Sequence, residues 1–192
     1  MTFDEPHQPE PAIAVPARLP AKATTRFMLS HPAHLIALGF GSGLSPFAPG
    51  TAGTLWAWVA FLVLQSYGIT DLQWAVLIAL GLPIGWWAST VTARNLRVLD
   101  PGCIVWDEII AFWIVLWLLM PAGFWAQLMA FALFRYFDAA KPGPVGWADQ
   151  LFHGMTADSD PRAWSKAGFG IMLDDLVAAG CTLLVIAIWR FM

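Results

Sequence analysis

The chain has 192 residues, 58% of them hydrophobic and only 12% charged, with twelve Trp and a mean hydropathy of +0.63. A soluble domain carries about a quarter charged residues, and a chain of this length cannot bury so much apolar surface, so the composition points to an integral membrane protein. A net charge of −3 argues against a nucleic-acid partner, whose binding rests on basic phosphate contacts. Residues 1–26 hold five prolines, Asp4, Glu5 and Glu10 and read as a disordered tail ahead of a membrane-embedded domain over 27–192. The tail lacks the basic start and apolar core of a signal peptide.

Next comes Gly39-Phe-Gly-Ser-Gly-Leu-Ser-Pro-Phe-Ala-Pro-Gly-Thr-Ala-Gly-Thr54. Glycines and small hydroxyls ahead of a helix can expose backbone N–H groups to a phosphate, which makes Ser42, Ser45, Thr51 and Thr54 candidate substrate-binding residues. The plainer reading is a loop with Thr51 or Thr54 as helix N-cap. His34, just upstream, is a further substrate-binding candidate that could shuttle a proton, with a structural role as the plainer reading. Ala52–Tyr67 is then uncharged over 16 residues and Leu72–Val91 over 20, the latter long enough to span a bilayer. Ile109–Phe134 is uncharged over 26 residues but broken by Met120-Pro121-Ala122-Gly123, which reads as a hairpin of two short helices. Leu176–Trp189, extended backwards by Phe169–Leu173, closes the chain. The expected fold is all-α, a polytopic membrane bundle of about five apolar helices.

If these segments alternate in direction, nine of the ten basic residues share one side, which the positive-inside bias makes cytoplasmic; Arg190 is the exception. The acidic residues Asp107, Glu108, Asp138, Asp174 and Asp175 map to the same ends of the apolar helices. Carboxylates adjoining a membrane segment are costly and point to function, although acidic groups also favour helix N-termini. Clustered on one surface they would need a cation between them. Oxygen ligands without flanking Cys or His pairs favour Mg²⁺. Arg135, Asp138 and Lys141 are spaced at three and share a face if that helix continues; Arg135 and Lys141 suit a phosphate. Cys103 has no base beside it, and with Cys181 forms no metal or disulfide pattern.

Four stretches, taken in order, resemble the phosphatidylglycerophosphatase A family. They are His34-Leu with Gly39–Thr54, Ile104-Val-Trp-Asp-Glu108, Phe134-Arg-Tyr-Phe-Asp138 with Lys141-Pro142, and Gly168-Phe-Gly-Ile-Met-Leu-Asp-Asp175. The resemblance covers about residues 31 to 185. It implies a Mg²⁺-dependent phosphatase of the bacterial inner membrane that converts phosphatidylglycerophosphate to phosphatidylglycerol and inorganic phosphate in phospholipid biosynthesis. Asp107, Glu108, Asp138, Asp174 and Asp175 would be metal ligands and, with Arg135 and Lys141, the catalytic set. The chain departs from the family pattern at Ala111, at Ala167-Gly168, at Pro144-Val-Gly146 (one basic residue fewer) and in an apparent insertion over Gly154–Lys166. The competing reading is a cation-binding transporter or another non-enzymatic membrane protein. Oligomeric state is not legible.

Overall fold

The computed structural model describes residues 22–151 and 162–191, so the expected tail lies almost wholly outside it, as does most of the segment 154–166. All regular structure among the described residues is helical. Short helices α1 (Thr25–Leu29) and α2 (Pro32–Ala37) lead into a 3-10 segment, Gly39–Leu44. Long helices α3 (Pro49–Ser66), α4 (Asp71–Leu96), α5 (Trp106–Leu119) and α6 (Phe124–Ala140) follow, then short α7 (Pro144–Gln150) and long α8 (Ala163–Phe191).

The apolar runs fall on five long helices, the 109–134 run on two of them, but several of the helices outrun them. α4 continues through Arg94 to Leu96, α6 through Arg135 and Asp138 to Ala140, and α8 begins ahead of Lys166. The break at 120–123 separates α5 from α6 as the Pro-Ala-Gly sequence requires. The α3 start differs from expectation: its N-cap is Ala48, in the left-handed region at φ 43°, rather than Thr51 or Thr54. Pro49 at the first helical position, with its fixed φ, begins the helix without a side-chain cap.

Contacts give the helix senses. Gly53 of α3 packs on Val105, and Ala57 accepts a hydrogen bond of 2.8 Å from Trp113 Nε1, so α3 and α5 run parallel. Gly85 of α4 lies against Trp106 and Met172, Gly81 against Ile110, and Gly168 against Thr90, so α4 runs opposite to α5 and α8. Thr54 meets Arg135 while Trp58 meets Phe124, and Glu108 meets Arg135 while Phe112 meets Phe131, which sets α6 antiparallel to α3 and α5. The small residues at 53, 81, 85 and 168 are what allow these backbones to approach.

The centre is apolar and aromatic, with Phe61, Trp74, Ile109, Phe112, Leu116 and Phe134 almost wholly buried. The exterior is apolar too: Leu55, Val59 and Leu62 on α3, Val76, Leu80 and Ile84 on α4, Met129 on α6, and Leu184 and Ile188 on α8 are all exposed. Helices apolar on both their inner and outer faces suggest a membrane protein. α4 and α8 are each long and apolar enough to cross a membrane. The one buried amide on α6, Gln127, accepts from Trp58 Nε1 at 2.7 Å and donates to Ala122 O at 2.9 Å, so its polarity is satisfied inside the bundle.

Candidate active site

The polar chemistry gathers at one end of the bundle, where α3, α5 and the membrane-length part of α8 begin and α4 and α6 finish. Asp107 and Glu108 occupy the first turn of α5, where the helix dipole favours negative charge. Asp175 reaches them from α8, and one oxygen from each of the three lies within 4.8 Å of the others. All three side chains are buried. Asp107 Oδ1, Glu108 Oε2 and Asp175 Oδ2 are buried without a hydrogen-bond partner among the described residues. Buried carboxylates at this separation repel one another and have lost their hydration, and a cation between them would relieve both costs, so the three could hold a metal ion. An all-oxygen donor set of this kind fits a hard divalent ion.

The other two acidic residues have cations of their own. Asp138 pairs with Arg135 one turn away on α6, and Arg135 Nη1 also lies 4.0 Å from Glu108 Oε1 and 3.4 Å from Thr54 Oγ1. Asp138 remains in electrostatic contact with Glu108 and Asp175. Asp174 pairs with Lys141 at 2.6 Å, and its other oxygen accepts from the Asp175 backbone N–H at 3.1 Å. The five carboxylates thus divide into three that cluster, each with one oxygen lacking a partner among the described residues, and two that brace the basic residues around them. Lys141 does not continue the face of Arg135 and Asp138: it leaves α6 at the C-cap in the left-handed region, φ 45°. Burial works against its charge, but Asp149 and Asp174 outweigh that and push its pKa above the ordinary lysine value.

The glycine-rich loop contributes through packing. Ser42 Oγ donates to Gly39 O at 2.9 Å and Ser45 Oγ to Phe47 O at 2.7 Å. Gly43 abuts the Cys103 carbonyl, and Gly39, at φ 53°, abuts Val105 and Ile109. The loop is thereby laid against the start of α5 and delivers the first turn of α3, with Thr51, to the acidic centre. A Cβ at Gly50 would lie 3.2 Å from both Arg135 Nη atoms and closer still to Glu108 Oε1. Thr54 Oγ1 donates to Gly50 O at 2.8 Å while facing Arg135, so of the four hydroxyl candidates it is the one shown in contact with the charged site. His34 is placed elsewhere, in the packing of α1, α2 and α4. Its Nδ1 lies 3.0 Å from Phe27 O and its Nε2 2.8 Å from Asn95 Nδ2, and its ring stacks on Phe27 at 3.9 Å. Both ring nitrogens are therefore engaged.

Two residues escaped the sequence reading. Gly50 looked like one small residue among many, and only the approach of Glu108 singles it out. Asp149 lies on α7, a seven-residue helix that carries no apolar run, and pairs with Lys141 eight residues earlier.

Among the described residues, fold and site together define a helical protein with an apolar exterior and a metal-competent acidic centre braced by an arginine and a lysine. Comparison with known proteins gives this class a family. Residues 35–190 match the model of the phosphatidylglycerophosphatase A family. A phosphatidylglycerophosphatase A from Escherichia coli K12 is 40% identical over 162 residues, covering 81% of this chain and 82% of the relative. One from Haemophilus influenzae is 36% identical over 162 residues, covering 84% and 90%. A provisionally named phosphatidylinositol-3-phosphatase from Bacteroides thetaiotaomicron is 38% identical over 165 residues, covering 82% and 92%. No solved structure matches. The chain belongs to the phosphatidylglycerophosphatase A family and is an enzyme, a hydrolase of phosphoric monoesters.

Proposed function

We propose that the protein is a Mg²⁺-dependent phosphatase that converts phosphatidylglycerophosphate to phosphatidylglycerol and inorganic phosphate in phospholipid biosynthesis. It would act as a multi-pass protein of the bacterial inner membrane, with its site at the cytoplasmic face. The observation that carries the chemistry is the trio of buried carboxylates, each with an unpartnered oxygen, beside Arg135 and Lys141. Asp107, Glu108 and Asp175 would hold the ion. When bound, Mg²⁺ supplies positive charge to the phosphoryl oxygens and favours ionisation of a water. Arg135, held by Asp138, offers a planar fork to the same oxygens, and Lys141 offers a point charge, so both oppose the negative charge of the transition state. Thr54 and Gly50 fix the guanidinium against α3. Hydrolysis breaks the bond between phosphorus and the headgroup glycerol oxygen; that oxygen takes a proton and phosphate leaves with the oxygen of water.

The membrane placement follows from the apolar exterior and from charge. Arg26, Arg94, Arg97, Arg135, Lys141 and Lys166 belong to the site end, whereas Arg190 closes α8 at the other, which supports the reading that the site end faces the cytoplasm. The acyl chains of a substrate would lie against the outer faces of the helices while its phosphate reaches the acidic centre.

The test is phosphate release by the purified protein in detergent, with and without Mg²⁺. Phosphatidylglycerophosphate is the substrate, and phosphatidylinositol-3-phosphate the comparison that the Bacteroides relative suggests. We expect turnover of phosphatidylglycerophosphate that EDTA abolishes and Mg²⁺ restores, and its loss in D175N and D138N. Turnover without any divalent ion, or full activity in D175N, would overturn the metal assignment; preference for the inositol lipid would overturn the substrate.

A further inference from the structure

Lys141 ends α6 in a backbone conformation that non-glycine residues seldom adopt, φ 45° and ψ 49°. The chain then turns through Gly143, at φ 53°, into α7, where Gly146 packs so tightly on the Lys141 carbonyl that a Cβ would sit 2.5 Å from its oxygen. Val145 and Ala148 are fully buried and seat α7 against α8. This folded-back segment places Asp149 on the Lys141 ammonium, which Asp174 of α8 also meets, at 2.6 Å. The three side chains are each less than a third exposed.

Charge balance does not require two carboxylates for one ammonium. What the second one changes is geometry. A lysine side chain is long and rich in rotamers, and with a single partner it would collapse onto that partner. Held between two, it is fixed in place, and because an ammonium has three N–H donors, among the described residues one is left for a further acceptor. Asp174 immediately precedes Asp175 of the acidic trio, so the held ammonium lies beside the place where a phosphoryl group would bind.

We propose that Asp149 is a positioning residue: with Asp174 it holds the Lys141 ammonium so that its remaining donor meets the phosphoryl oxygens of the phosphomonoester. The proposal rests on the phosphatase reading above and on Lys141 acting in it. The test compares wild type with D149A, D149N, D149E, K141A and K141A/D149A on phosphatidylglycerophosphate in Mg²⁺. Wild-type turnover comes first: its absence would be a failure of the phosphatase reading and not of this one. Given turnover, D149A should lower kcat by about 10- to 100-fold, the range expected for misplacing a reacting group, with a smaller change in KM. D149E should recover much of the loss and D149N little. The double variant should be no slower than K141A alone, because Asp149 acts through the lysine. The half-saturating Mg²⁺ concentration should stay at its wild-type value. Wild-type kcat in D149A, losses that multiply in the double variant, or a shifted Mg²⁺ requirement would overturn the proposal. If D149A does not yield a helical, monodisperse protein in detergent, D149N keeps the side-chain volume and carries the same comparisons.

Discussion

Gly50 shows how a residue without a side chain can shape a charged site. Its Cα is the surface on which the Glu108 carboxylate and the Arg135 guanidinium rest, so G50A forces one or both aside. A displacement of about 1 Å at a reacting group can cost around 100-fold, and we expect G50A to lose at least tenfold in kcat while its helix content, read by circular dichroism, stays at the wild-type level. The sequence showed the five carboxylates and both cations, because charges that interrupt or adjoin apolar helices stand out. It did not show how they divide. Asp174 and Asp175 are neighbours, yet successive helix positions project about 100° apart, so one meets Lys141 and the other completes the acidic trio. Nor could it show Asp149, whose partner is fixed by the turn at Lys141 and not by any helical spacing.

At the level of elements, the apolar runs located every long helix but not its ends. Charged residues mark where a segment ought to leave hydrocarbon, and in α4, α6 and α8 the backbone stays helical past that point because its hydrogen bonds are internal. The short helices before α3 went unread, since five or six residues carry too little periodicity to register. His34 is the pin that joins them to α4. Its Nδ1–H donates to Phe27 O and its Nε2 accepts from Asn95, which leaves the ring neutral. Burial, reinforced by nearby His31 and only partly offset by the Phe27 carbonyl, lowers its pKa from 6.5. The unfolded chain therefore takes up a proton below pH 6.5 that the folded one resists, and stability falls as pH drops through that value. Thermal unfolding in detergent should show wild type losing stability between about pH 7.5 and about pH 5.5, with a shallower slope in H34Q. H34A should cost about 2 kcal/mol at neutral pH through the unpaired Asn95 amide and the lost stacking on Phe27.

For the whole molecule, the antiparallel succession of α3 to α6 and α8 puts the loop before α5 and the turn before α6 at opposite ends. Gly102 and Gly123 report on them cleanly, because a Cβ at either meets nothing within 4 Å. In a variant lacking Cys103 and Cys181, a membrane-impermeant thiol reagent applied to intact cells should label G123C and spare G102C, with labelling of G102C restored on lysis. The reverse pattern would turn the protein over in the membrane. Bacterial cells that label neither site until lysed would place both ends inside. The apolar outer faces of α3, α4 and α8 carry a kinetic consequence as well. A lipid that slides along such a surface is met by lateral diffusion within a sheet, never by release into water. The concentration that governs turnover would then be the mole fraction of phosphorylated lipid among its neighbours, so adding inert lipid or detergent should slow the enzyme even when the amount of substrate per millilitre is unchanged.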